Sequence, residues 1–349
     1  MSNSNPYTLV FGQPPLELIE RSAQAERIIS EFKQERPANS INLITGVRGC
    51  GKTVFVTGIA DRLRSKEWII INLNAQRDLL QSLAAKLNSD RKLNQLFRNA
   101  EINLQAFGIG VGISGIPPID DIEEALIRML RSIKKQHQRV LITIDEATNT
   151  NDMRVFASAY QIFLREQLPV FLLMTGLYKN IDSLRNADGM TFLERAPRTV
   201  LAPLNQQAMT QKYMETLQIR QDEAARLSKA TKGYSFAFQT IGYFYWENPM
   251  DPQKAMANAM DYLEEFAYRK IWSELSRKDK EVVLAVSKVK NGEIMRIREV
   301  LHYSTNQFNP YRNRLIKAGI ICSPLNGIVE FALPGFGEFA ERVTEEGSI

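Results

Sequence analysis

From Ile41 to about Leu204, short apolar runs alternate with longer amphipathic stretches, the order expected of a parallel sheet covered by helices. The runs Ile41–Thr45, Trp68–Asn74, Val140–Ile144, Val170–Thr175 and Thr199–Leu201 are apolar on both faces, as buried parallel strands are. Between the second and third runs the pattern predicts a helix around Asp78–Leu87 and another near Ile122–Lys135. The piece between them, Ile102–Gly115, alternates Phe107, Ile109, Val111 and Ile113 with Gly108, Gly110 and Gly112, a two-residue period that predicts a strand or hairpin. After Leu204 the reading turns helical over 205–217, 222–230, 235–246 and 252–272, with Asn248-Pro249 and Asp251-Pro252 as breakers. From Arg277 it predicts helices at 277–289, 295–303 and 306–318, the last ended by Gly319. Two short strands then follow, joined by Asn326-Gly327, a dipeptide suited to a type I′ turn. Three domains are expected: 1–204 built on the sheet, 205–270 helical, and 271–349 with the layout of a winged helix.

Composition narrows the class. With 44% hydrophobic and 24% charged residues in 349, the chain has material for real cores. Its longest charge-free stretch, Ile102–Ile119, contains glycines and Pro117-Pro118 and cannot seal its backbone in a bilayer as a helix. Nothing at the N-terminus resembles a secretory leader, so a soluble, cytoplasmic protein without membrane attachment is expected. Two cysteines (Cys50, Cys322) and two histidines (His137, His302) are too few and scattered for a zinc site. The net charge of +5 is uneven, because Arg269–Lys317 holds twelve Lys or Arg against five acids.

The strongest chemical signal is Gly46-Val47-Arg48-Gly49-Cys50-Gly51-Lys52-Thr53, which fits G-x-x-x-x-G-K-[ST] directly after an apolar strand. Its glycines let successive N–H groups face phosphate oxygens, Lys52 would reach the β- and γ-phosphates, and Thr53 would complete a magnesium shell at the start of a helix. The second signal is Asp145-Glu146 at the end of the third apolar run. There Asp145 would hold Mg2+ and Glu146 would deprotonate the attacking water. A hydroxyl at Thr175, ending the next strand, could contact the γ-phosphate or that water. Gly110–Gly115 also fits G-x-G-x-x-G, but Pro117-Pro118 prevents a helix from starting there, so a dinucleotide reading fails.

These three motifs, in this order on a sheet followed by a helical lid, resemble the AAA+ P-loop ATPases, within the branch of origin-recognition proteins, archaeal-type ATPases and STAND switches. The resemblance covers 7–265 and implies ATP and ADP as ligands and a homo-oligomer in the ATP state. Phe11-Gly12-Gln13-Pro14-Pro15 with Glu20-Arg21 looks like the segment lying over adenine, which implies contacts from Phe11 and Pro14, although Glu20 stands where glycine is usual. Gly233-Tyr234-Ser235 is similar to the lid's Gly-x-Pro motif, with Ser235 in place of proline, and implies a nucleotide contact at Gly233. Arg195 and Arg198 occupy the stretch where members place a finger that reaches a neighbour's γ-phosphate.

In the C-terminal segment, Phe308, Tyr311 and Leu315 should face a core, leaving Gln307, Asn309, Arg312, Asn313, Arg314 and Lys317 outside, amides and cations suited to base edges and phosphates. The run from Tyr311 to Ile321 resembles the recognition helix and first wing strand of bacterial ATPases of this kind. Asn326-Gly327 carries no basic residue, so minor-groove insertion by a wing is not expected. The readings that stay open are duplex DNA contact on one side and a solvated basic face or docking within the chain on the other. The functional expectation is an ATP-hydrolysing switch that binds duplex DNA, with a STAND-like signalling ATPase as its alternative. A small-molecule kinase suits the adjacent carboxylates and helical lid less well.

Overall fold

The computed structural model describes residues 4–10, 15–110 and 112–347, so Phe11 and Pro14 lie outside the described residues. The chain divides into two compact units. One comprises Ser22–Thr45 and Phe55–Thr199; the other comprises the segment up to Arg21, the loop Gly46–Val54, and Val200 onward. This differs from a division at 204 and 270, since the phosphate-loop sequence groups with the helical segment.

The first unit carries the sheet, β1 (Ile41–Thr45), β2 (Ile69–Asn74), β3 (Val140–Asp145), β4 (Val170–Gly176) and β5 (Arg198–Val200), in the order β2-β3-β4-β1-β5. The pairs β2–β3, β3–β4 and β4–β1 are parallel. Every residue of β1 and β4 is buried, the physical content of a strand without a polar face. The register pairs Thr45 with Gly176, Ile144 with Met174 and Asn74 with Asp145, so these carboxyl-terminal ends share one edge.

Around the sheet lie α1 (Ser22–Lys33), the body of α2 (Lys52–Arg64), α3 (Leu79–Ser89), α4 (Arg91–Asn99), α5 (Ile122–Lys135), α6 (Asn151–Arg165), α7 (Tyr178–Arg185) and the single turn α8 (Thr191–Glu194). Asp78, Asp121 and Thr150 cap the helices that follow them by accepting backbone N–H bonds. Leu126, Met129, Leu130 and Ile133 of α5 are fully buried at helical spacing.

Among the described residues of 102–115, which leave out Val111, there is no strand or hairpin. Gln105–Phe107 form a 3-10 turn closed by Gly108 at φ +67°, and Gly110 and Gly115 have φ of +70° and +79°. Left-handed values at alternate residues cannot propagate an extended strand. The apolar partners Phe107 and Ile109 instead rest against the core singly. Helix α4 was not anticipated, because only Leu93 and Phe97 of its nine residues are buried.

The second unit continues with α9 (Gln206–Leu217), α10 (Gln221–Ala230), α11 (Ser235–Glu247) and α12 (Pro252–Leu263). A π turn, Glu264–Tyr268, leads into α13 (Arg269–Ser273). Then come α14 (Arg277–Lys288), α15 (Ile294–Leu301) and α16 (Thr305–Ala318), the ribbon β6 (Ile321–Cys322) and β7 (Glu330–Phe331), and α17 (Phe336–Glu345). Gly319 caps α16 at φ +76°. The ribbon is antiparallel, pairing Ile321 with Phe331, but its connection is not a two-residue type I′ turn. Of Asn326 and Gly327 only the glycine has positive φ, +79°, and Ile328 N–H donates to Leu325 O at 3.2 Å, the pattern of a type II turn within a longer loop. The acidic ending is part of α17, which buries Phe336, Phe339, Ala340 and Val343. Among the described residues no helix is long and apolar enough to cross a membrane.

Candidate functional site

In the second unit, Gly49 and Gly51 take φ of +76° and +90°, values the loop needs to turn from Thr45 into α2. Cys50 N–H closes a turn on Val47 O at 3.2 Å. Lys52 Nζ folds back to donate to Gly46 O at 3.0 Å and Val47 O at 3.1 Å. The loop's outward carbonyls are held by the residues after Gly233. Tyr234 OH donates to Arg48 O at 2.7 Å, Phe236 N–H to Gly49 O at 3.1 Å, and Ser235 OH to Cys50 O at 2.9 Å. Arg21 donates to Ser235 Oγ at 3.0 Å and to Ala202 O at 2.7 Å. Burial lowers the Arg21 pKa from its ordinary value and raises that of Tyr234, which therefore remains an O–H donor.

Gly233 itself is a turn residue. It has φ +76°, its carbonyl accepts from Leu204 N–H at 2.8 Å, and a Cβ there would fall 2.6 Å from Pro203 Cβ. The neighbouring Tyr234, Ser235 and Phe236 touch the loop. Sequence reasoning singled out the motif but not the contacts of these side chains, and it placed Arg21 in the adenine-side segment, with no link to the loop, because the two lie far apart in sequence.

The donor set fits a polyphosphate. The loop brings the Lys52 ammonium and an Arg48 Nε that is buried with no hydrogen-bond partner, a cationic donor of the kind an anion satisfies. A Cβ on Gly51 would lie 3.4 Å from Arg21 Nη1, so that guanidinium also borders the loop. Hard oxygen donors suited to Mg2+ are present in the Thr53 hydroxyl and the Asp145 carboxylate.

The first unit holds the carboxylates. Asp145 ends β3, half-buried, and its Oδ1 accepts from Glu146 N–H at 3.0 Å and from the Thr175 hydroxyl of β4. Thr175 Oγ1 is also 3.3 Å from Glu146 N, and Ala147 N–H donates to Thr175 O at 2.8 Å, so β4 anchors the whole turn after β3. A Cβ on Gly176 would approach Ala147 O to 3.0 Å. Held this way, Glu146 has φ +54° and is exposed. Thr175 is fully buried with its hydroxyl on Asp145. The expected contact with phosphate or water is therefore corrected: a side chain enclosed between strands orients the carboxylate instead. Arg195 is exposed at the end of α8. Arg198 is half-buried, 3.5 Å from the Asp182 carboxylate with its guanidinium 4.5 Å from the Tyr178 ring centre, so it is engaged within its own unit.

In the C-terminal segment the six proposed DNA residues are not equivalent. Arg314 donates to Asp279 Oδ1 at 2.9 and 2.7 Å and stacks on Tyr311, while Asp279 is only 5% exposed and forms a capping box with Ser276. Arg314 is thus a packing cation, a correction that follows from Asp279 lying on the facing helix α14. Gln307 Oε1 accepts Ser304 N–H at 2.8 Å in the capping box of α16, and Arg312 donates to Ser323 Oγ at 3.0 Å. Asn313 and Lys317 are exposed and Asn309 is half-buried. Lys288, Lys290, Asn291 and Arg296 line a separate cleft of about 540 Å³. Three of the twelve basic residues between Arg269 and Lys317 thus border that cleft and three lie on α16, so the excess positive charge is not concentrated on one helix.

Residues 24–165 match the family described as an ATPase domain predominantly from Archaea, and residues 265–340 match a domain of unknown function (DUF8462). No curated relative matches the sequence. Among solved structures, the chain is similar to a Walker-type ATPase, PABY2304, of Pyrococcus abyssi, at 13% identity over 93% of this chain and 96% of that one, with a TM-score of 0.64. It is also similar to the ORC2 protein of Aeropyrum pernix in ADPNP-ADP complexes, at 12% identity over 97% of each chain with a TM-score of 0.58. The ADP form of that protein matches at 11% identity over 97% of each chain, with a TM-score of 0.51. With its glycine loop after β1, its paired carboxylates after β3 and the strand order β2-β3-β4-β1-β5, the chain has the fold of the AAA+ P-loop ATPases, and residues 24–165 are similar to the ATPase domain found predominantly in Archaea.

Proposed function

We propose that this protein binds ATP with magnesium, hydrolyses it, and uses the nucleotide state to control contact with duplex DNA. The observation that carries the reading is the pair of backbone turns described above: a phosphate loop with left-handed Gly49 and Gly51 next to Lys52, and a turn in which Thr175 anchors Asp145 and exposes Glu146. Lys52 meets ground-state phosphate charge. Glu146 takes a proton from the attacking water, and Thr175 keeps Asp145 oriented. Thr53 and Asp145 would hold the metal, which when bound neutralises charge on the phosphate oxygens. The resemblance to ORC2, a protein solved with ADPNP and ADP, supports adenine nucleotides as the ligands.

Arg195, exposed, suits a finger that acts on a neighbouring copy's nucleotide better than Arg198, whose charge is already engaged. That role makes the ATP-bound form a homo-oligomer. Duplex DNA is the second ligand in this proposal, met by Asn309, Arg312, Asn313 and Lys317 of α16, in a segment we take to be a winged helix. The test is nucleotide binding and turnover for the parent, Lys52→Ala and Glu146→Gln, followed by DNA affinity in both nucleotide states.

One contact favours the STAND-like alternative, in which the C-terminal segment regulates nucleotide exchange and binds no DNA. A Cβ on Gly319, at the end of α16, would lie 3.4 Å from Val47 Cβ and 3.5 Å from Val47 N, so α16 ends against the phosphate loop. Gly319→Leu separates the readings. Faster ADP release with no change in DNA affinity supports the alternative.

A further inference from the structure

The three bonds from Tyr234, Ser235 and Phe236 fall on three successive carbonyls, those of Arg48, Gly49 and Cys50. In a planar trans peptide the carbonyl of one residue and the N–H of the next point in opposite directions. Holding those carbonyls toward α11 therefore turns the N–H groups of Gly49, Cys50 and Gly51 the other way. Cys50 N–H is taken by Val47 O, which leaves the amides of the two glycines as those that the arrangement aims. The fit is close on the lid side as well: a Cβ on Gly49 would fall 2.5 Å from Tyr234 OH and 3.0 Å from Phe236 Cβ. Gly49 is thus required by its neighbour Tyr234 in addition to its own φ. Tyr234 is 4% exposed and Ser235 is braced by Arg21.

We propose that the turn Tyr234–Phe236 is a clasp that presets the phosphate loop for polyphosphate, with Tyr234 as its positioning residue. This rests on the nucleotide reading of the loop. It makes the loop's shape depend on the first turn of α11, so that movement of α11 would alter phosphate affinity without any residue of α11 touching the ligand.

Cys50 supplies an internal reporter, since it is 7% exposed within the clasped loop, while Cys322 is half-buried in β6. The full-length parent, Tyr234→Phe and Ser235→Ala are compared by N-ethylmaleimide alkylation, read as the Cys50 to Cys322 ratio by mass spectrometry without nucleotide. Affinity for a fluorescent ATP analogue and for ADP, and kcat at saturating ATP, are measured on the same samples. Tyr234→Phe should raise the alkylation ratio about tenfold and weaken both nucleotides about tenfold, the size of one lost hydrogen bond, with a smaller fall in kcat. Ser235→Ala should move both readouts the same way, and Ser235→Thr should restore them. Unchanged alkylation and affinity in Tyr234→Phe and Ser235→Ala would overturn the clasp, and so would a loss of kcat with affinity intact. A parent that fails to bind ATP would overturn the nucleotide reading, whereas the alkylation ratio would still judge the clasp.

Discussion

Glu146 carries a conformational penalty that its position in the fold imposes. A non-glycine residue at φ +54° costs about 1–2 kcal/mol, and the bonds its N–H donates to Asp145 Oδ1 and Thr175 Oγ1 hold it there. Replacing Glu146 by glycine should therefore raise stability, by about 0.5–1 kcal/mol once the extra freedom of the unfolded glycine is subtracted, and abolish turnover. Urea unfolding and ATPase assays on the same preparation check both. Glu146→Gln should keep ATP affinity and lower hydrolysis about a hundredfold or more, and Lys52→Ala should lose binding. Parental turnover in Glu146→Gln would reject the base assignment. The carboxylate pair was readable from Asp145-Glu146 after an apolar run. The left-handed turn was not, because it arises from bonds to a strand twenty-nine residues away.

At the scale of the element, α16 shows why exposure patterns in sequence overcount the residues of a proposed DNA face. Of its apolar positions Phe308 and Leu315 are buried and Tyr311 is half-buried under the Arg314 guanidinium, and the polar positions were sorted by neighbours in space. Arg314→Ala would leave Asp279 buried with its strongest partner gone, at a cost of about 1–3 kcal/mol, and should lower the thermal midpoint while leaving the salt dependence of DNA binding unchanged. Lys317→Ala should instead reduce the slope of log affinity against log salt by about one unit. Fluorescence anisotropy over a salt series, beside thermal melts, distinguishes the two. A slope change in Arg314→Ala would restore it to the DNA face. The turn before α11 makes a parallel case: Gly233→Ala combines left-handed φ with a Cβ 2.6 Å from Pro203 Cβ, and should cost about 2 kcal/mol or more in unfolding.

For the whole molecule, the informative question is whether one copy suffices. If Arg195 acts on a neighbour's nucleotide, turnover per chain should rise with protein concentration, and Arg195→Ala should lower turnover about a hundredfold or more while sparing nucleotide affinity. Arg198→Ala should chiefly reduce stability, through its contacts with Asp182 and Tyr178. Turnover independent of concentration, with a monomer in ATP by light scattering, would count against a finger in trans.

What the sequence determined by itself is what periodicity and local backbone chemistry encode. Short apolar runs between amphipathic stretches mark strands whether they end up central, as β1, β3 and β4, or partly exposed, as β2 and β5, and all five strands are predicted to within a residue at each end. The phosphate loop needs its glycines in one continuous stretch, and Gly319 ends α16 through its own φ. The tertiary structure alone decided the rest, because each remaining feature joins residues distant in the chain. Alternating glycines between Ile102 and Gly115 could not reveal a non-strand path until their positive φ values were known. Arg21, Tyr234 and Ser235 meet beside a loop that none of them adjoins in sequence. Thr175 turns to a carboxylate on the neighbouring strand, and Arg314 to one on a facing helix. A side chain's charge or hydroxyl is written in the sequence, but its partner is set by packing, and the partner decides whether that group is free to act.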